Sequence, residues 1–145
     1  MRLPVATLLL APLLALAQAD GSSPVGLWRT IDDTTGKPRA LVRVFEQDGR
    51  IFGRIERGVD PNEAPDQVCD LCTDERRGQP KLGLVIIRNM QHVGDEWTGG
   101  DVLDPDNGKV YRCRLRLVDD NRTLEVRGFI GLSLFGRTQT WERVD

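Results

Sequence analysis

Histidine and cysteine are scarce in this sequence, which holds one His, at position 92, and three Cys among 145 residues. With a single histidine, a Ser-His-Asp catalytic site is not expected. The segment "GLSLF" at 131–135 partly matches a nucleophile elbow, but phenylalanine stands in place of the last glycine. Phosphate-binding and dinucleotide-binding fingerprints are absent. Asp101, Asp104 and Asp106 match only the start of a calcium loop and are better explained by a turn. We predict no catalytic residues, no metal and no cofactor.

Long apolar runs are also lacking, except at the N-terminus. There, Arg2 precedes an apolar run from Val5 to Ala17, which ends in an Ala-Gln-Ala cleavage pattern. This arrangement predicts a secretory signal peptide, residues 1–19, that is cut after Ala19. An uncleaved anchor is the alternative, although the run is short for a stable membrane span. We expect a periplasmic or secreted protein without a transmembrane segment after cleavage.

Charge of one sign does not dominate the chain. Twenty basic and 22 acidic side chains give a net charge of −2, which becomes −3 once Arg2 is removed with the signal peptide. Such a chain has no general attraction to nucleic acid, and we predict none as a partner. Residues 20–145 are enough for a single domain with its own core.

Tight turns between β-rich runs predict an all-β fold. Asp48-Gly49 is a typical hairpin turn, and further turns are indicated at Asp104–Lys109 and Asp119–Arg122. No long helical periodicity is present after the signal peptide. The predicted strands are 25–30, 40–45, 51–55, 84–91, 96–103, 110–118, 123–128 and 137–143. Eight short sequential strands favour an up-and-down antiparallel barrel, with a long irregular loop at 58–82.

Alternation along the strands predicts which side chains face the barrel interior. In "VYRCRLRLV" the apolar residues fall on one face and the arginines at 112, 114 and 116 on the other, which we interpret as the solvated outer face. An eight-stranded barrel can hold one small ligand. Candidate ligand-contacting residues are Val44, Ile86, Met90, Trp97, Tyr111 and Leu115. Each also fits plain core packing, and Tyr111 stands out because its hydroxyl needs a partner.

The two ends of the mature chain carry a possible barrel plug. The first strand begins with the G-x-W pattern Gly26-Leu27-Trp28, and the last strand contains Arg137 and Arg143. In lipocalin-like barrels such a tryptophan closes one end, and a basic side chain from a late strand packs over it. Stacking of a guanidinium on an indole contributes about 0.5–1 kcal/mol or more.

Several segments resemble a known family. These are "GLWRT" near the start, the C-x-x-C followed by "GLVII", "GGDVLDPDNGKVYRCRLRL", and above all "RGFIGLSLFGRTQTW" from Arg127 to Trp141. Together they resemble the bacterial exported family filed as domain of unknown function 2147, over nearly the whole mature chain. The resemblance implies a small lipocalin-like barrel in the bacterial envelope and brings no catalytic residues.

The pair Cys69 and Cys72 lies inside the predicted loop, and three interpretations compete. Zinc needs three or four ligands, and only Cys113 and His92 remain as good candidates. A thioredoxin-like site needs a strand-to-helix setting that is missing here. A disulfide suits an oxidising compartment, and we predict one between Cys69 and Cys72. Pairing of either cysteine with Cys113 remains possible; otherwise Cys113 is a buried free thiol.

These observations favour an exported barrel that binds a small apolar or amphiphilic ligand and is not an enzyme. One alternative is an envelope module with a filled barrel, whose surface, including "FIGLSLFG", docks a protein or membrane. The other is a thiol-redox role for Cys69 and Cys72. The sequence leaves open the ligand, the oligomeric state and whether the barrel is hollow.

Overall fold

The computed structural model describes residues 22–132 and 135–145, and every regular element in these ranges is a β-strand. The strands are β1 Gly26–Ile31, β2 Pro38–Gln47, β3 Arg50–Gly58, β4 Val85–Val93, β5 Glu96–Leu103, β6 Val110–Val118, β7 Thr123–Phe129 and β8 Gly136–Arg143. Each overlaps its predicted counterpart, so the all-β prediction is confirmed. The predicted signal peptide, residues 1–19, lies outside the described residues. Within those residues no helix is long and apolar enough to cross a membrane.

The strands form a closed antiparallel barrel in chain order, as predicted. Each strand pairs with the next, and β1 pairs with β8 through Trp28 opposite Arg143. Because the chain runs up and down, the β1–β2, β3–β4, β5–β6 and β7–β8 connections all lie at one end, which we call the mouth. The other three connections and the segment before β1 lie at the opposite end, which we call the plug end.

Backbone conformation explains the short turns at the plug end. Asp48 and Gly49 have φ of 52° and 74°, the pair of positive values that matches the twist of a two-residue hairpin. The β6–β7 turn likewise has positive φ from Asp119 to Asn121. Aspartate and asparagine tolerate this region better than other side chains, so the sequence specifies both turns locally.

The predicted long loop is residues 59–84, between β3 and β4. It folds back on itself: Val68 bridges Pro80, and the Lys81 amide donates to the Gln67 carbonyl at 2.8 Å. The segment between these residues, which contains Cys69, leans toward the β5–β6 turn. The loop is therefore a second, smaller structure attached to the mouth.

Two glycines on the strands make room for large side chains in the barrel interior. A Cβ on Gly53 would lie 3.2 Å from the side chain of Ile87, which is fully buried. A Cβ on Gly100 would lie 2.0 Å from the Arg88 carbonyl oxygen and 2.6 Å from Met90 Sδ, so the β4 backbone and this methionine occupy the space that a side chain at 100 would take. Large residues on neighbouring strands thus fill the space that these two glycines leave inside the barrel.

Candidate ligand-binding site

A cavity of about 740 Å³ occupies the half of the barrel near the mouth. Its deep wall is apolar and carries Val42, Ile55, Val126 and Trp141, all of which are buried. This volume lies within the range of roughly 300–1,000 Å³ that is typical of small-molecule sites. The interior of the barrel is therefore hollow on one side of its middle and solid on the other.

The six predicted interior residues divide between these two halves. Ile86 and Tyr111 line the cavity. The described cavity lining does not include Val44, Met90, Trp97 or Leu115, which are buried in the solid half. Alternation along a strand predicts which side chains point into the barrel. It does not predict which part of the interior is filled by side chains and which part is a cavity.

The cavity lining also carries many polar side chains, most of them at the mouth, and several have partners within the protein. Tyr111 Oη accepts a hydrogen bond from Asn107 Nδ2 at 3.2 Å, which supplies the partner that its hydroxyl needed. Trp141 Nε1 donates to Gln139 Oε1 at 3.0 Å, and Thr30 Oγ1 accepts from the Ala40 amide. With these hydrogen bonds made within the protein, the residues leave between them a surface suited to an apolar ligand body.

Trp28 and Arg143 meet at the plug end. Trp28 is fully buried, its Nε1 donates to the Pro24 carbonyl at 2.8 Å, and the Arg143 guanidinium carbon lies 4.3 Å from the centre of its ring. Arg143 also donates to the carbonyl oxygens of Ser23 and Val25. Gly26 belongs to the same arrangement, because a Cβ there would lie 2.6 Å from Arg143 Nη1. The glycine of the G-x-W pattern thus makes room for the arginine that covers the tryptophan.

Arg137, the other basic residue predicted at the plug, lies elsewhere. It stands six residues before Arg143 on the same strand, about 20 Å away at the usual rise of a strand. At the mouth its Nη2 pairs with Asp33 Oδ2 at 2.7 Å, and this hydrogen bond raises the pKa of Arg137. The last strand thus runs the full height of the barrel, and only its final arginine reaches Trp28.

Cys69 and Cys72 form a disulfide, as predicted, with an exposure of 0% and 2%. It is packed against the β5–β6 turn: Cys69 Sγ lies 3.7 Å from the Pro105 carbonyl oxygen, and a Cβ on Gly108 would lie 1.9 Å from the Leu71 carbonyl oxygen. The bridge therefore holds the compact part of the long loop against a neighbouring turn.

Cys113 is free and buried on β6. Burial raises the pKa of its thiol, and the nearby charge of Asp101 raises it further. Such a thiol stays protonated at neutral pH and acts as a small apolar residue. Among the described residues, no three His, Cys, Asp or Glu side chains are grouped so that they could hold a metal ion.

A β-bulge in β2 brings one further cation to the mouth. The β1–β2 register shifts between Arg29 and Ile31, so that Thr30 faces both Arg39 and Ala40. Bulges of this kind redirect a side chain that regular alternation would point outward. Arg39 accordingly lines the cavity.

Arg39 contacts carboxylates from three mouth connections. Its Nη1 lies 2.9 Å from Asp106 Oδ2 and 3.6 Å from Asp32 Oδ2, while Nη2 donates to Glu63 Oε1. Asp106 also accepts from Lys81 Nζ at 3.0 Å. These contacts join the β1–β2 turn, the long loop and the β5–β6 turn into one network of ion pairs around the cavity.

The ion pairs outweigh burial at both central groups. Burial alone would lower the pKa of Arg39, but hydrogen bonds with Glu63 and Asp106 leave it above its ordinary value. Burial would raise the pKa of Asp106, but the Lys81 hydrogen bond and the Arg39 charge lower it. Both groups are therefore charged at neutral pH. Sequence analysis missed this network, because its signal is a register shift between two strands.

Comparison with known proteins agrees with the fold. The chain belongs to the family described as "Uncharacterized protein conserved in bacteria (DUF2147)", whose pattern matches residues 26–143. A solved structure, described as "Protein HP1028 from the human pathogen Helicobacter pylori belongs to the lipocalin family", matches with a TM-score of 0.73 and 24% sequence identity, over 85% of this chain and 84% of that chain. This likeness shows a lipocalin-like barrel fold. No curated protein matches the chain.

Proposed function

We propose that this DUF2147 barrel binds a small apolar or amphiphilic molecule in the cavity at its mouth. The observation that carries the proposal is the cavity itself, about 740 Å³ in volume with a buried apolar deep wall. Enclosed apolar pockets with a few fixed polar groups are the usual form of small-molecule sites. The lipocalin-like fold supports the same function. The proposal assigns no catalytic step and no cofactor to the chain.

We also propose that the protein works outside the cytoplasm, in the periplasm or beyond. The N-terminal sequence pattern and the Cys69–Cys72 disulfide support this location, because such bonds persist in oxidising compartments. Thiol counting on denatured, unreduced protein taken from the envelope should find one free cysteine per chain. Three free thiols would contradict the proposed location, and the redox alternative would gain from a bridge that exchanges readily in the native protein.

Tryptophan emission gives a direct test of ligand binding. Trp141 lines the cavity, whereas Trp28 and Trp97 lie in the solid half, so an occupant should change the emission of one tryptophan. Decanoate and N-phenyl-naphthylamine, added separately, should each produce a saturable change with one molecule bound per chain. A linear response without saturation would contradict the proposal.

A cavity-filling variant locates the binding. A Cβ on Gly128 would stand 3.4 Å from Tyr111 Cβ, an ordinary contact, and a leucine would extend from there into the cavity. Competition for the same space costs on the order of 1–3 kcal/mol, so affinity should fall by about tenfold or more. Thr140→Leu adds the same side chain at an exposed position of β8 and serves as the control. Equal affinities in Gly128→Leu and Thr140→Leu would place the ligand elsewhere.

A docking function remains the second candidate, because apolar side chains are exposed at the mouth. Ile130, Leu132 and Phe135 are 66%, 67% and 71% exposed beside the β7–β8 connection. Binding of neutral lipid vesicles by the protein, with no saturable binding of either small probe, would favour this candidate over the first.

A further inference from the structure

We propose that Arg39 is an electrostatic latch that spans the cavity mouth and limits the rate at which a ligand enters and leaves. The inference rests on the proposed function, because a latch matters only if something passes through the mouth. It goes beyond that function by assigning the control of access to one side chain and its carboxylate partners.

The topology makes the contact of Arg39 with Asp106 a bridge across the opening. In an eight-stranded barrel in chain order, the β1–β2 and β5–β6 connections lie on opposite sides of the mouth. Arg39 lies at the start of β2, beside Asp32 of the first connection, and contacts Asp106 of the second at 2.9 Å. The Arg39–Asp106 pair therefore joins opposite sides of the mouth, over the cavity that both residues line.

The partners of Arg39 make the bridge cooperative. Glu63 brings the long loop to the same guanidinium, and Lys81 holds Asp106 from the side of that loop. For a ligand to reach Trp141 on the deep wall, the Arg39–Asp106 contact has to part. Arg39 and Asp106 are 35% and 45% exposed, so salt screens this contact and water solvates the separated charges. Such a contact is weak enough to open repeatedly and still sets a barrier.

A second ion pair at the mouth distinguishes a latch across the opening from a contact that only stabilises the rim of the barrel. Arg137 also forms an ion pair at the mouth, with Asp33. This pair joins the mouth end of β8 to the adjacent β1–β2 turn and does not cross the opening. Among the ion pairs of the described residues, Arg39–Asp106 is the one that joins opposite sides of the mouth. The latch therefore predicts a kinetic effect that is specific to Arg39.

Arg39→Gln tests the latch, with Arg43→Gln as its matched control. Arg43 lies on the same strand with 36% exposure, against 35% for Arg39, and it pairs with two carboxylates, Glu56 and Asp145, on the outer face. In stopped-flow measurements with N-phenyl-naphthylamine, Arg39→Gln should speed both association and dissociation by about three- to tenfold, the equivalent of one or two exposed ion pairs. Arg43→Gln, whose side chain is not part of the described cavity lining, should leave both rates near the wild-type values.

Salt and quenching complete the test. High salt should accelerate probe exchange in the wild type and in Arg43→Gln but much less in Arg39→Gln, where the contact is already absent. If the probe does not bind, the proposed function fails, and the latch is then judged by acrylamide quenching. Arg39→Gln should expose Trp141 emission to this neutral quencher more than Arg43→Gln does. Equal exchange rates, or equal quenching where no probe binds, would overturn the latch.

Discussion

Replacing Trp28 by alanine should destabilise the barrel more than any single change at its surface. Trp28 is fully buried, and its loss would leave the Pro24 carbonyl without its donor and Arg143 without the ring beneath it. Truncation of a buried tryptophan costs about 3–5 kcal/mol. Small domains are stable by only about 5–15 kcal/mol, so the variant should keep its fold with a much reduced margin.

Urea denaturation followed by circular dichroism measures this loss. With a slope of about 1.5 kcal/mol per molar urea, a loss of 3–5 kcal/mol lowers the midpoint by about 2–3 M. Val93→Ala is the control: Val93 is 60% exposed, and such substitutions usually change stability by less than about 0.5 kcal/mol. A Trp28→Ala midpoint equal to that of the wild type would refute the plug.

A double-mutant cycle separates the stacking from the packing. Arg143→Met removes the charge while keeping much of the side-chain volume over the Trp28 ring. Combined with Trp28→Ala it should show a coupling energy of about 0.5–1 kcal/mol, the usual size of an indole–guanidinium contact. Additive effects of the two changes would mean that the 4.3 Å contact contributes nothing beyond the separate burial of each residue.

Two further predictions concern the loops. Gly108→Ala should cost about 1–3 kcal/mol more than Gly36→Ala in denaturation, because φ is similar, 74° and 71°, but only the Cβ at 108 collides with the Leu71 backbone; equal costs would mean that the loop does not pack as described. Hydrogen bonding to Arg76 lowers the pKa of Asp74 from 3.8 to about 2, so its stabilising effect is complete above the higher value and lost as pH falls through the lower one. Asp74→Asn should remove about 1 kcal/mol at neutral pH, allowing for solvent screening, and less near pH 2; a loss independent of pH would contradict this.

Local chemistry made the fold predictable from the sequence. Asp48-Gly49 and the turn at 119–122 define hairpins without help from the rest of the chain, and alternation in β6 identifies its inner face. The G-x-W pattern also carried real information, since Gly26, Trp28 and Arg143 form one contact set. Each of these signals depends on a few neighbouring residues or on a simple period.

The candidate site depended on long-range packing that no local pattern contains. An inward side chain can either line a cavity or pack against another side chain. Residues far away in sequence determine which of the two occurs, as Gly100 does for Met90. The bulge that turns Arg39 inward is a difference in register between β1 and β2, so the alternation of β2 alone gives the opposite direction. The pairing of the three cysteines could not be predicted from the sequence for the same reason. Only the packing of the folded chain shows that Cys113 is buried as a free thiol while Cys69 pairs with Cys72.

Closure of the barrel between β1 and β8 has a consequence for the time course of folding. Trp28 pairs with Arg143, and the Val144 amide donates to the Leu27 carbonyl at 2.9 Å. One edge of the first strand therefore stays unpaired until the last strand has been synthesised. During vectorial synthesis the N-terminal part of the domain cannot reach its native state early, and folding waits for the C-terminal residues. Pairing over such a sequence separation is slow, so the native barrel can form only when synthesis of the chain is nearly finished.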